Sequence, residues 1–335
     1  MRIQILKHSS YYEHIHQQHQ TVMSTYLITG ATSGLGLQVA LRLARQGGHQ
    51  LVLPVRNPSR GAALVQALHT TDPVRVSTPS IDLSSLRSVA AFLNTFNADT
   101  KTKLDGMLLN AGVQSSGQLG FTQDGIESSF AVNHLASFFL AQGLLEHLKP
   151  GAFVGWTSSG THDPNETAAR MGGFRGARYS SATQLAMGEL RPGTSAAQAC
   201  KDAYATSKLC NIVCARAFAE RYPGKAQFFS FDPGLMPGTG LSREHGAAAQ
   251  WVWRNVLPRL APLLPGTSTP AKSSAILVQL LTGQLLASYN GAYFRHTGAQ
   301  EEPAAPATEA WVAQDLITTS HALVAPFLAA AKETA

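Results

Sequence analysis

From Ser24 onward, short apolar runs alternate with stretches of helical periodicity, and this alternation restricts the fold more than any single motif. "TYLITG" (25–30) reads as a buried strand, and "GLGLQVALRLARQG" (34–47) as the helix behind it. "QLVLPV" (50–55), part of "VRVSTPSIDL" (74–83) and "LDGMLLN" (104–110) repeat the strand pattern. So do "AFVGWTS" (152–158), "AQFFSF" (226–231) and "GAYF" (291–294). Helical periodicity fills 58–69, 84–97, 125–148 and 202–222. Apolar strands separated by helices form a parallel sheet covered on both faces. Right-handed crossovers then give an α/β, doubly wound architecture. Two segments break the alternation, 162–200 and 235–267. Such long connections inside a domain are usually functional, and both are expected to wall a ligand pocket. Residues 1–23 read as a disordered tail, and 24–335 as one domain carrying these two insertions.

Composition narrows the function classes. The chain has 335 residues, 44% of them apolar, and a formal charge of +6. Its Lys and Arg residues form no block and do not interleave with aromatics, which excludes a nucleic-acid groove. No apolar run reaches the roughly 18 residues of a membrane span. Trp251, Trp253, Leu257 and Leu260 form an apolar stripe in 247–264 that either lines the pocket, packs as an ordinary helix, or touches a membrane surface. Cys200, Cys210 and Cys214 lack metal-like spacing and read as reduced core thiols of a cytoplasmic protein. His8, His14, His16 and His19 in the tail are not read as a metal site.

The first strand runs directly into "TGATSGLG" (29–36). A glycine turn between a strand and a helix lets backbone approach a pyrophosphate, and the helix offers free N–H groups and the positive end of its dipole. Gly30, Thr32, Ser33, Gly34, Leu35 and Gly36 are therefore expected to cradle a dinucleotide. At the end of the second strand, Val55 stands where an acid would bind an NAD ribose, and Arg56 follows. An arginine there pairs with a 2′-phosphate, so NADP(H) is expected over NAD(H). Farther along, "DAYATSK" places Tyr204 and Lys208 one helical turn apart. A cation beside a phenol can bring a poor acid into working range.

The glycine loop is followed in order by Asp82-Leu83, "NAG" (110–112), "NHL" (133–135), "SS" (158–159), "YATSK" (204–208) and "DPG" (232–234). With these motifs the chain resembles the short-chain dehydrogenase/reductase family over about 24–330. It is most similar to the branch of retinol dehydrogenases and light-dependent protochlorophyllide reductases, through "FAVNHLASFFL", "AYATSKLCNIVCARAFAERY" and "LSREH". The resemblance implies a Rossmann-type sheet of seven parallel strands in the order 3-2-1-4-5-6-7. It implies Tyr204 as general acid and base, with Lys208 steadying the phenolate and holding the nicotinamide ribose. Ser159, rather than Ser158, would bind the substrate oxygen, and Asn133 a water leading to Lys208. Asp82 and Leu83 would meet the adenine, Asn110, Ala111 and Gly112 would form the cofactor floor, and Pro233 and Gly234 would turn beside the carboxamide. The family also often pairs into homodimers through its long helices.

The expected activity is therefore NADP(H)-dependent hydride transfer to or from a bulky, apolar carbonyl or alcohol, because 44 residues separate Ser159 from Tyr204 and should widen the pocket. One alternative is light-dependent reduction of a double bond, as in protochlorophyllide reductases. Against it stand Leu235 and Gln114, where that branch typically carries a cysteine and a tyrosine. A non-catalytic nucleotide sensor or scaffold is the alternative from another class. It would have no need of Asn133, Ser159, Tyr204 and Lys208 together.

Overall fold

The computed structural model describes residues 23–68, 74–189, 192–236, 266–285 and 287–332. Its centre is one sheet. Seven parallel strands run in the order β3-β2-β1-β4-β5-β6-β7. They are β1 Ser24–Ile28, β2 His49–Val52, β3 Arg75–Ser77, β4 Leu104–Leu109, β5 Leu148–Thr157, β6 Ala226–Asp232 and β7 Ala292–Arg295. The expected seven are all present, and an eighth is added: β8, Gln300–Glu301, pairs antiparallel with β7.

Strand alternation sends side chains to two cores. Leu27, Met107, Leu109, Val154, Trp156 and Phe228 pack under α3 (Leu86–Ala98), α4 (Ala136–Gly143), α7 (Ala196–Arg221) and α9 (Ala310–Lys332). Ile28, Leu51, Leu53, Leu108, Phe229 and Phe231 face the opposite layer, built by α1 (Gly34–Gln46), α2 (Pro58–Ala67) and α8 (Pro270–Leu281). Within that layer Arg42 of α1 donates to the Ser274 hydroxyl of α8 at 2.9 Å.

Several boundaries differ from the sequence reading, among them the start of α7 at Ala196 rather than 202. The helix expected over 125–148 begins as a π-helical stretch, Phe130–Leu135, continues as α4 and stops at Gly143. Glu127 caps its start, its carboxylate accepting from the Ser129 and Phe130 amides at 2.9 and 2.7 Å. Residues 148–151 belong to β5, the strand expected only from 152.

The segment 162–200 holds two short helices, α5 Thr167–Met171 and α6 Ala182–Met187. It is strapped along α7 and α9. Arg175 forks onto Asp202, and the Arg178 amide donates to Thr206 Oγ1. Tyr179 Oη and the Ala182 amide both donate to Asp315, each at 2.7 Å. The second insertion lies mostly outside the described residues, as do Trp251, Trp253, Leu257, Leu260, "LSREH" and the tail's histidines. Among the described residues no helix is long and apolar enough to cross a membrane, and no group of three or more His, Cys, Asp or Glu could hold a metal.

Candidate active site

Parallel strands end on one edge of the sheet, and that edge gathers most of the motif residues. At β1, Gly36 sits so close to the preceding loop that an added Cβ would lie 2.5 Å from the Gly30 carbonyl oxygen. Glycine is what lets α1 begin there. Gly34 has φ +58 and nothing within 4 Å of its Cβ position, so this side of the turn is open. Ser33 is the N-cap of α1 without a side-chain cap bond, and the first turn holds no acid. The positive dipole end of α1 with open space beside Gly34 fits a dinucleotide's pyrophosphate. Thr32 is half-buried at the turn, whereas Leu35 is buried in the core.

The β4 end is tied to the β1 end through Thr29. Its hydroxyl oxygen accepts from the Asn110 and Ala111 amides at 2.9 and 3.1 Å, and its carbonyl accepts from Asn110 Nδ2 at 3.1 Å. Gly112 lies beneath the lysine and Asn133: a Cβ there would stand 3.3 Å from Lys208 Nζ and 3.2 Å from Asn133 Oδ1. At the end of β2, Arg56 is exposed, as is Arg60 four residues on. Asp82 is half-buried, with Oδ1 accepting from the Ser84 amide and hydroxyl, and Leu83 packs on the core rim.

α7 delivers Tyr204 and Lys208 to the end of β5. Lys208 Nζ donates to the Thr157 carbonyl at 3.1 Å and lies 5.6 Å from the Tyr204 ring centre. The two adjacent serines part as strand alternation requires. Ser158 Oγ turns into α7 and donates to the Lys208 carbonyl at 2.9 Å, whereas Ser159 Oγ accepts from the Thr161 amide at 3.3 Å and lies near enough the Tyr204 phenol to lower its pKa. Asn133 lies in the π-helical stretch, whose irregular turn presents it toward the loop after β4. Its Oδ1 accepts from the Val113 amide at 2.7 Å, and its Nδ2 donates to the Val113 carbonyl and to Ser207 Oγ, each at 2.9 Å.

Electrostatics refine the sequence reading of the pair. Burial pushes the Tyr204 phenol up, Asp232 adds to this, and the Ser159 hydrogen bond opposes it. Burial pushes Lys208 down to about 8, with Asp232 opposing. The protein's own groups therefore hold the phenol protonated, ready to give a proton rather than already ionised.

Several neighbours escape a sequence reading. Asp232 stands just before the Pro233 and Gly234 to which the motif draws attention. Glu166 and Arg295 join it through contacts between distant segments that no local pattern announces. Phe174, from the insertion, sets its ring 6.0 Å from that of Tyr204. The same insertion lines a cavity of about 370 Å³ with Arg178, Gln184 and Leu185, against Ala203, Thr206 and Ser207 of α7. That cavity adjoins the Tyr204 face of the helix, and neither Tyr204 nor Ser159 lines it.

Residues 24–182 match the family model for short chain dehydrogenases. Protochlorophyllide reductase of Avena sativa is 33% identical over 235 residues, which is 65% of this chain and 73% of that one. The WW domain-containing oxidoreductase of Drosophila melanogaster is 29% identical over 81% of this chain and 61% of its own length. Protochlorophyllide reductase A of Hordeum vulgare is 34% identical over 65% of this chain, and the match spans only 59% of that one. Among solved structures, an uncharacterized protein from Mycobacterium Paratuberculosis superposes with a TM-score of 0.62 at 22% identity, covering 90% of this chain and 94% of that one. The angucycline C-6 ketoreductase LanV with bound NADP gives 0.58 at 19% identity, covering 82% and 95%. Both structures share the fold.

Proposed function

The chain belongs to the short-chain dehydrogenase/reductase family, close to its protochlorophyllide reductase branch, and is an NAD(P)-dependent oxidoreductase; from that premise we propose that it transfers hydride between NADP(H) and a bulky, apolar carbonyl or alcohol. The observation that carries this reading is the meeting of Ser159, Tyr204 and Lys208 at the edge where the glycine turn opens. NADPH supplies the hydride when bound, so a carbonyl that gains it and one proton leaves as an alcohol. Tyr204 gives that proton to the carbonyl oxygen, and Ser159 donates a hydrogen bond to the same oxygen as its charge grows. Lys208, charged below about pH 8, stabilises the phenolate left behind. Asn133 Oδ1, with a second lone pair beside Gly112, is the group that would hold a water to Lys208.

Arg56 supports NADP(H) over NAD(H), being exposed at the strand end between Val55 and Asn57, with no acid adjacent in the chain. Phe174, next to Tyr204, supports an apolar substrate. A homodimer would have to pair through a surface other than the one on α7 where α9 and the insertion already lie. Cys200, Cys210 and Cys214 are buried and none is in a disulfide, which supports a reducing compartment such as the cytoplasm.

A second reading, light-dependent double-bond reduction, is favoured by the protochlorophyllide reductases among the relatives. It is opposed by Gln114 and Leu235. The test is a panel of ketones, aldehydes, retinoids and protochlorophyllide, each with NADPH and with NADH, in darkness and in light. Dark oxidation of NADPH by a carbonyl, faster than that of NADH, supports the first reading. A product formed from protochlorophyllide only in light replaces it with the second.

A further inference from the structure

Behind Ser159 and Tyr204 lies a buried ion cluster that the function above leaves unused. Asp232 closes β6, and its side chain is 3% exposed. Oδ1 accepts from the Gly234 amide at 3.0 Å, and Oδ2 lies 3.4 Å from Arg295 Nε. Arg295, at the end of β7, donates through Nη2 to Glu166 of the insertion at 2.7 Å. Glu301 stands 3.9 Å from the same guanidinium and is half exposed. Asp232 and Glu166 both flank Gly160, the residue after Ser159: a Cβ there would be 3.2 Å from Asp232 Oδ2 and 3.0 Å from Glu166 Cγ.

Two carboxylates, Asp232 buried and Glu166 half-buried, thus share one guanidinium. Burial lowers the pKa of neighbouring His162 and His296, so neither adds a cation at neutral pH. Among the described residues, the other cation that feels Asp232 is Lys208, in the reaction centre itself. Buried charge is normally balanced by its immediate partners, because an uncompensated charge is costly. Asp232, Glu166 and Arg295 together hold one negative charge in surplus, and Asp232 is the member whose field reaches the Tyr204 phenol and the Lys208 ammonium.

A carbonyl whose oxygen meets Ser159 and Tyr204 must have its hydride donor against the same carbon. Giving up the hydride removes two electrons and one proton from that donor ring and leaves it with a positive charge. We propose that the Asp232–Arg295–Glu166 cluster favours the oxidised, cationic nicotinamide over the neutral reduced one, and so makes the bound reduced cofactor a stronger hydride donor. Asp232 and Glu166 act here through their field, as positioning residues for the charge of the cofactor.

This inference rests on the cofactor reading above, and it is tested without any substrate. The dissociation constants of NADP⁺ and of NADPH are measured separately by calorimetry for the wild-type protein, Asp232→Asn and Glu166→Gln. The first substitution removes the charge and keeps an acceptor oxygen for the Gly234 amide. Glu166→Gln leaves Asp232 untouched should the first variant fold poorly. Each variant is expected to weaken NADP⁺ relative to NADPH by roughly tenfold, the size of a unit-charge interaction across about 10 Å at an effective dielectric near 20. For a two-electron couple that shift is about 30 mV toward a weaker donor. A merely structural role would weaken both nucleotides alike. An unchanged affinity ratio in variants that bind both nucleotides overturns the inference and leaves the cofactor reading standing. Failure of the wild-type protein to bind either nucleotide overturns both.

Discussion

Lys208 shows most plainly what the site costs the protein. Its ammonium is buried, donates to the Thr157 carbonyl and has a pKa lowered from 10.5 to about 8. Between those values the unfolded chain holds the extra proton, so this group's contribution to stability rises with pH there, and its destabilisation is fully present below about pH 8. Lys208→Met removes the buried charge, and Thr157 still accepts from Asn211 Nδ2 at 2.9 Å. At neutral pH this variant is expected to melt higher than wild type, by roughly 5 °C, while losing turnover. Thermal unfolding followed by circular dichroism checks it, and a lower melting temperature would mean that the lysine is a net structural support. Residue types at this scale are open to sequence reasoning: Tyr204 and Lys208 share a face because four positions make one turn. The choice of Ser159 over Ser158 rests on the family resemblance; strand alternation says only that the two diverge, as they do, Ser158 into α7 and Ser159 toward the phenol.

At the scale of elements, the glycine turn decides whether α1 can begin where the crevice needs it. Gly36→Ala would put a methyl group 2.5 Å from the Gly30 carbonyl oxygen, and the obstacle is backbone rather than a movable side chain. The expected result is a loss of about 1–3 kcal/mol in stability together with weakened NADPH binding, read by urea unfolding and by a nucleotide titration. Unchanged binding would show that the turn does not need its present geometry. The regular elements are legible because each strand is an apolar run and each helix has an apolar stripe. Irregular ones are not. The π-helical stretch has no periodicity of its own, and β8 is two residues long. The start of β5 is hidden because "LKPG" interrupts its apolar run.

At the scale of the molecule, the site is assembled from segments that sequence distance keeps apart. Thr29 and Asn110 join the β1 and β4 ends, Thr157 and Lys208 join β5 to α7, and Glu166 and Arg295 join the insertion to β7. Motifs at strand ends foretell the first two, since parallel strands must place those ends on one edge. Nothing local foretells the third, because its partners are 129 positions apart and each alone is an ordinary surface-type residue. The insertion is expected from sequence to wall the substrate pocket; Phe174 reaches Tyr204, whereas much of the rest straps α7 and α9 around a separate cavity.

The account's centre is the proposal that the open glycine turn holds a nucleotide and Tyr204, on the same edge of the sheet, supplies the proton for one reaction. The measurement that reaches it most directly compares wild type with Tyr204→Phe, following NADPH binding by fluorescence and NADPH oxidation with the best carbonyl of the panel. The account predicts unchanged binding and a turnover lower by at least about 100-fold. Turnover within a few-fold of wild type, with the nucleotide still bound, would contradict it.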